Sequence, residues 1–321
     1  MHCLITGGAG YVGTKLAERL LDHGHIVTIM DLGWFGVHFT PERSVNLIKK
    51  DARNLAADDL LGIDVVFHLA GVANDPSSIL NPALCWDIAL TSVYRLCEAA
   101  IRMPEPPRII FASSGSVYGV QTVDRVTEDL ELLPISTYNK SKIGAERTLL
   151  SYVDRLTIQI VRPATVCGVS PRMRLDLAVN LLTAAAVRNG VITVLGGSQY
   201  RPNIHIDDLV DVYIHLLLRP DLTGTFNAGF ENITICDIAE MVSKRTGAEI
   251  KFEPSNDPRS YRIDSTKLLD TGFSPTKSVA HAIEEVITAI EHKEFLSGDF
   301  NSNVNWMRYL IGEGQISEPN F

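Results

Sequence analysis

Along the first half of the chain the apolar positions switch repeatedly between two patterns. Short, nearly continuous apolar runs of strand length alternate with longer stretches whose apolar residues recur every three to four positions. HCLIT, IVTIM, VNLIKKD, DVVFHLA, RIIFASS and TIQIVRP read as six strands. Three intervening stretches read as helices: YVGTKLAERLLDHG, closed by Gly24; PALCWDIALTSVYRLCEAAIRM, stopped by Pro104; and YNKSKIGAERTLLSYV. Strands without polar alternation are buried on both faces. The β-α-β rhythm therefore predicts an α/β fold: a doubly wound parallel sheet with helices on both sides.

The rhythm breaks near Cys167. RLDLAVNLLTAAAVRNG reads as a helix, ITVLG and RPNIHI as short extended pieces, DDLVDVYIHLLL as a helix and GTFNAG as another strand. ICDIAEMVSKRTG and SVAHAIEEVITAIEHKEFL are helical in period, and the final GDFNSNVNWMRYLIGEGQISEPNF carries no clear period. These pieces predict a first unit over 1–166, with about 204–229 returning to it. A smaller, mainly helical cap is expected from 167–203 and 230–321.

Composition narrows the function classes. The 321 residues carry a net charge of -9, and nothing in this balance suggests a nucleic-acid surface or a polybasic membrane patch, so neither partner is expected. An anionic substrate would need local arginines. The five cysteines are scattered and form no C-x-x-C pair, so free thiols and a cytoplasmic location are expected. The start MHCLIT lacks the features of a signal peptide, and no apolar run reaches the roughly 20 residues of a membrane span.

The first strand runs into Gly7, Gly8, Gly10 and Gly13 just before a helix. Glycine permits a tight turn and lets backbone approach a pyrophosphate, while the helix N-terminus offers free N–H groups and partial positive charge. Turns also use glycine for purely structural reasons. Asp31 shifts the balance: it follows the second strand, 18 residues after Gly13, where a carboxylate accepts from an adenosine ribose. It would also repel a 2′-phosphate, which favours NAD over NADP. Asp51, after the third strand, is either an adenine contact or a solvated loop acid.

STYNKSK adds Tyr138 and Lys142, four residues apart and so on one helix face. An ammonium nearby favours tyrosinate, which lowers the tyrosine pKa toward neutrality. Such a tyrosine takes a proton from a hydroxyl while hydride leaves the same carbon. Ser114 ends the fifth strand in FASSGSVYG, at the end of the sheet where Tyr138 also lies.

The ordered set TGGAGYVG, HLAG, ASSGSVYG, YNKSK and RPATVCG resembles the extended short-chain dehydrogenase/reductase family of nucleotide-sugar epimerases and dehydratases. The resemblance runs from residue 1 to about residue 290 and implies a Rossmann-type dinucleotide-binding domain with a substrate-binding cap. It implies that Tyr138 is the acid/base, that Lys142 holds the nicotinamide ribose and tunes Tyr138, and that Ser114 hydrogen-bonds the reacting hydroxyl. The cofactor contacts it implies are Gly7, Gly10, Tyr11, Val12 and Gly13, then Asp31, Asp51 and Ala52, then Leu69 and Ala70, and finally Pro163 and Thr165. His68 in HLAG is expected to be structural, and no metal is expected.

Two departures matter. Family members that eliminate water carry an Asp-Glu pair right after the Ser114 position, where this chain has Gly115 and Ser116; decarboxylases keep a Glu at the Ser116 position. Both reactions are therefore disfavoured. Ala89 also replaces an asparagine common in the family.

On the substrate side the resemblance assigns Ser116, Asn180, Arg201, Arg259 and Arg262 to a nucleoside-diphosphate sugar, because guanidinium suits phosphate. The stretch SPRMRLDLAVN is similar to one in bacterial sugar-nucleotide oxidoreductases, and Arg172 and Arg174 in it face either the sugar or the start of the next helix. The reaction expected is NAD-dependent oxidoreduction at the sugar 4-position, as a 4-epimerase. The alternatives are a net 4-dehydrogenase or 4-ketoreductase and, more remotely, a non-catalytic NAD-sensing regulator. The long helix before Pro104 and the Tyr138 helix resemble a family dimer interface, with Val93, Leu96 and Ala100 either on it or buried against the chain's own sheet.

Overall fold

The structure is a computed structural model and describes residues 1–39, 45–255, 257, 259–295 and 298–316. Its centre is a seven-stranded parallel sheet. The first five strands in chain order are β1 (His2–Thr6), β2 (Ile26–Asp31), β3 (Asn46–Lys49), β4 (Val65–His68) and β5 (Arg108–Ala112). Across the sheet the order is Gly224–Ala228, Ile158–Pro163, β5, β4, β1, β2, β3. The order reverses beside β1, and the loops that leave the carboxyl ends of β1 and β4 open a crevice there, the usual ligand position in such sheets.

Alternation along each strand builds two cores. On one face Ile5, Phe67 and Ile110 pack with Leu16 and Leu20 of α1 (Tyr11–Asp22) and with Val210 and Tyr213 of the helix Ile206–Leu218. On the other face Leu4, Val66, Ile109 and Phe111 meet α3 (Pro82–Ala100) and α4 (Thr137–Leu150). The short α2 (Asp75–Leu80) precedes α3, and asparagine side chains cap both: Asn74 accepts from Ser77 N and Asn81 from Leu84 N. Val93, Leu96 and Ala100 are fully buried in this second core. They face the chain's own sheet and are not available to a partner, so of the two placements the sequence allowed the structure takes the sheet and corrects the interface reading.

The strand Gly224–Ala228 adds to the sheet edge beside Ile158–Pro163. A smaller, mainly helical part packs the helices α5 (Ala178–Asn189), Ile235–Thr246 and Val279–Glu291 around Val179, Leu182, Ile238, Val242 and Ile283. The helix expected over the RLDLAVN stretch starts only at Ala178. Upstream, the Leu175 N–H donates to Asn301 O and the Asp176 carboxylate binds Arg174, so the chain is held in bends and not in a helix. The periodic stretch ending at Leu296 is helical to Glu291, and Leu296 lies outside the described residues. The tail without a clear period forms the helix Asn303–Gly312, capped by Ser302; its last five residues lie outside the described residues.

Candidate active site

A cavity of about 500 Å³ lies over the carboxyl ends of the strands. Its floor is the turn between β1 and α1. Gly7 sits at φ +72°, and a Cβ there would stand 2.7 Å from Ala70 N. A Cβ on Gly13 would stand 2.6 Å from Gly8 Cα and 2.7 Å from Gly7 O. The glycines thus allow backbone against backbone, and the first amides of α1 have no acceptor within the helix. No side chain caps this helix start at Gly10. Gly7, Gly10, Tyr11, Val12 and Gly13 line the cavity, as do Asp31, Asp51, Ala52, Leu69, Ala70, Pro163 and Thr165.

Asp31 closes β2 and its carboxylate accepts from Gly33 N at 2.8 Å and Ala9 N at 3.0 Å. Burial pushes its pKa up, while these amides work downward. Asp51 is held by Arg53 through two carboxylate contacts, and Arg53 also reaches Asp87. The Tyr11 hydroxyl donates to Gly168 O at 2.7 Å, which ties the turn to the segment after Thr165–Cys167.

Ser136 caps α4 and so fixes the turn that presents Tyr138. Tyr138, Lys142, Ser114 and Ser116 all line the cavity. The Ser114 and Ser116 hydroxyls share a hydrogen bond at 2.7 Å, and Asn139 Nδ2 donates to Ser116 Oγ at 2.7 Å. Lys142 Nζ donates to Ala112 O at 2.7 Å. Burial pushes Lys142 down to about 8 and Tyr138 up to about 12, with a hydrogen bond to Ser114 drawing Tyr138 the other way. Burial thus raises Tyr138 where a lowering by Lys142 was expected, and the Lys142 ammonium is turned toward Ala112. His68 is a buried neutral group between Thr6 Oγ1 at 2.8 Å and Ser92 Oγ at 3.0 Å, and burial pushes it down to about 3.

Three arginines expected at the substrate line the cavity. Arg201 binds Asp257 at 2.9 Å, Arg259 binds Asp75 and Asp257 at 2.8 Å each, and Arg174 binds Asp176 at 2.9 Å. Two other residues do not line it. Arg262 lies on the two-residue strand Arg262–Ile263, where Ile263 points into the core and Arg262 therefore points out. It binds Asp124 and lies 3.7 Å from the Tyr200 ring centroid. Asn180 is fully buried; its amide accepts from Gly168 N at 3.0 Å and donates to Arg174 O at 2.9 Å. It braces the loop over α1 and does not reach the cavity.

Sequence reading missed Trp34, Phe35 and Asn303, which also line the cavity. Trp306 Nε1 donates to Trp34 O at 2.5 Å, so the C-terminal helix reaches the loop after β2. The aromatic pair that starts three residues after Asp31 was the available signal; the tail's part in the site had none.

Comparison with known proteins gives these features a context. The NAD dependent epimerase/dehydratase family matches residues 3–229. The chain belongs to that family. It is 31% identical over 285 residues to a Bacillus subtilis (strain 168) protein named an uncharacterized UDP-glucose epimerase, covering 80% of this chain and 88% of that one. It is 26% identical over 302 residues to a UDP-glucose 4-epimerase of Lactobacillus helveticus, covering 83% and 89%. Among solved structures, the UDP-glucuronic acid 4-epimerase from Bacillus cereus, in complex with UDP-glucuronic acid and NAD, superposes with a TM-score of 0.79 at 27% identity, covering 91% and 100%. The fold is accordingly Rossmann-type, the chain is an enzyme, and its cofactor is NAD. The residues present fit that cofactor: the glycine cradle would be filled by any Cβ, and Asp31 stands at the end of β2. Among the described residues, no helix is long and apolar enough to cross a membrane.

Asp31→Ala is expected to weaken NAD more than NADP, because it removes both a ribose acceptor and a charge that repels a 2′-phosphate. Calorimetry on wild type and variant checks this; wild type binding NADP more tightly than NAD would contradict it.

Proposed function

We propose that this enzyme is a nucleotide-sugar 4-epimerase, and that UDP-sugars are its substrate class. The observation that carries the reading is one cavity in which the Ser114–Tyr138–Lys142 set meets both the glycine cradle and the cationic pair Arg201 and Arg259. The relatives named above act, by their names, on UDP-sugars. Gly115 and Ser116 support epimerisation over dehydration, because neither supplies a carboxylate beside Ser114.

In this reading Tyr138, as phenolate, takes the proton of the sugar 4-hydroxyl and later returns it to the same oxygen. Ser114, which lines the cavity beside Tyr138, orients that oxygen. Lys142 holds the nicotinamide ribose, and Arg201 and Arg259 hold the substrate diphosphate while the keto sugar turns over. NAD, when bound, would supply reversible hydride transfer at the sugar carbon. Residues 1–166 and 204–229 serve mainly the dinucleotide, and 167–203 and 230–321 the sugar nucleotide. The test is a screen of UDP-, GDP-, CDP- and dTDP-sugars. A 4-epimer formed with no net NADH supports the reading; stoichiometric NADH makes the enzyme a net dehydrogenase; no product from any sugar removes the assignment.

We further propose a cytoplasmic homodimer. All five cysteines are free, as a reducing compartment requires. On α3, Trp86, Leu90 and Tyr94 recur at four-residue steps, with Trp86 36% and Tyr94 50% exposed. This stripe lies where α3 crosses α4 closely: a Cβ on Gly144 would stand 2.8 Å from Leu90 Cδ2. Light scattering should give a dimer for wild type and a monomer for Tyr94→Glu. A wild-type monomer at micromolar concentration would sink the assembly.

A further inference from the structure

Four arginines around the site have carboxylate partners: Arg162 with Glu146, Arg174 with Asp176, and Arg201 and Arg259 with Asp257. Arg172 lines the same cavity and is only 3% exposed, yet among the described residues it makes no ion pair. Its Nη2 donates to Asn303 Oδ1 at 2.6 Å and Phe300 O at 3.3 Å, and its guanidinium lies 4.1 Å from the Phe35 ring centroid. Its Nε is buried without a hydrogen-bond partner among the described residues. A buried cation with an unmet donor is costly unless an anion completes it.

The chain on either side of Arg172 says where that anion lies. Ser170 Oγ donates to Tyr11 O at 2.7 Å and meets Thr14 Oγ1 at 2.9 Å, so the segment is pinned to the first turn of α1. Tyr11, Val12 and Gly13 of that turn and Arg172 all line the cavity, and the first amides of a helix have no acceptor within it. Asp31 borders it too, and disfavours a 2′-phosphate as the anion.

We propose that Arg172 is a ligand for the pyrophosphate of the dinucleotide cofactor, held in place by Asn303 of the C-terminal helix. The segment that sequence reading turned toward the sugar therefore serves the cofactor, and the tail helix forms part of the cofactor site. The proposal rests on NAD binding in this cavity.

The test measures binding and not turnover. Arg172→Met keeps most of the side-chain volume and removes the charge; Arg172→Gln removes the charge and keeps a donor for Asn303. Calorimetry on cofactor-free protein should show NAD and ADP-ribose bound about ten- to a hundredfold more weakly by either variant, the range for a lost hydrogen bond to a charged group. Adenosine and UDP should bind as in wild type. The melting temperature without cofactor should be unchanged or higher, because an unpaired buried charge is removed, and its rise on adding NAD should shrink. A lowered melting temperature with unchanged NAD affinity would make Arg172 merely structural. Selective loss of NADP would point to a 2′-phosphate, and selective loss of UDP to the substrate diphosphate; each overturns the proposal. Wild type that fails to bind NAD would remove the cofactor reading as well. Normal NAD binding by both variants removes Arg172 alone.

Discussion

Tyr138→Phe is expected to lower turnover by about a hundredfold or more, the scale for losing a general acid/base, while folding and NAD binding persist. The substitution removes one hydroxyl and leaves the ring, so the loss falls on chemistry. The pH dependence should change with it. The Tyr138 hydroxyl holds its proton below about 12, and Lys142 carries its charge only below about 8. If the reaction needs tyrosinate and ammonium together, the active fraction rises with pH up to about 8. Above that, gain of tyrosinate is offset by loss of ammonium, and wild-type kcat/KM should level off. Lys142→Met should weaken NAD binding and remove the break near 8. Steady-state rates across pH check both variants. A Tyr138→Phe enzyme with near-normal turnover would refute the assignment and reopen the reading of an NAD-binding regulator.

Arg162→Met is expected to destabilise the fold by about 3–5 kcal/mol, the usual consequence of stranding one member of a buried ion pair. Arg162 meets Glu146 at 2.7 Å and 2.9 Å, with side-chain exposures of 6% and 2%. Its third contact is the Tyr118 hydroxyl at 2.9 Å. Ser113 donates to the same carboxylate. The pair joins the strand Ile158–Pro163 to α4, the helix that carries Tyr138 and Lys142. Adding Glu146→Leu should restore most of the lost stability, because the stranded carboxylate is then gone. Denaturant unfolding of the single and double variants is the measurement. A single variant within about 1 kcal/mol of wild type would mean the pair contributes little, contrary to its burial.

The elements of the sheet were legible because their signals are local. A strand buried on both faces must be continuously apolar, so IVTIM and RIIFASS announce themselves without any knowledge of their neighbours. The glycine turn and the Tyr138–Lys142 step are equally local. Each depends on a few consecutive residues and on helix or turn geometry, and each line of the cavity they predict is present. The resemblance of the ordered motifs to a family extended this to Arg201 and Arg259, two positions that spacing alone would not have selected.

Other features depended on which face a residue presents once the chain is folded. Arg262 and Arg259 looked equivalent in sequence, but strand alternation turns Arg262 outward while Arg259 reaches Asp75. Val93, Leu96 and Ala100 form a helical stripe, and sequence cannot say whether such a stripe meets the chain's own sheet or a partner; packing assigns it to the sheet. The Tyr138 pKa was misjudged because spacing reveals a nearby ammonium and not how far burial removes water from the hydroxyl. Arg172 shows the same limit. Among the described residues it has no carboxylate partner, and its surroundings are set by long-range contacts among the loop after β2, the segment over α1 and the C-terminal helix. By itself the sequence determined the sheet, the cradle and the Tyr138–Lys142 step on α4, because periodicity and turn chemistry act over a few residues. Tertiary structure alone decided which charges are buried, which are paired and which face the cavity, because desolvation and ion pairing depend on neighbours distant in the chain.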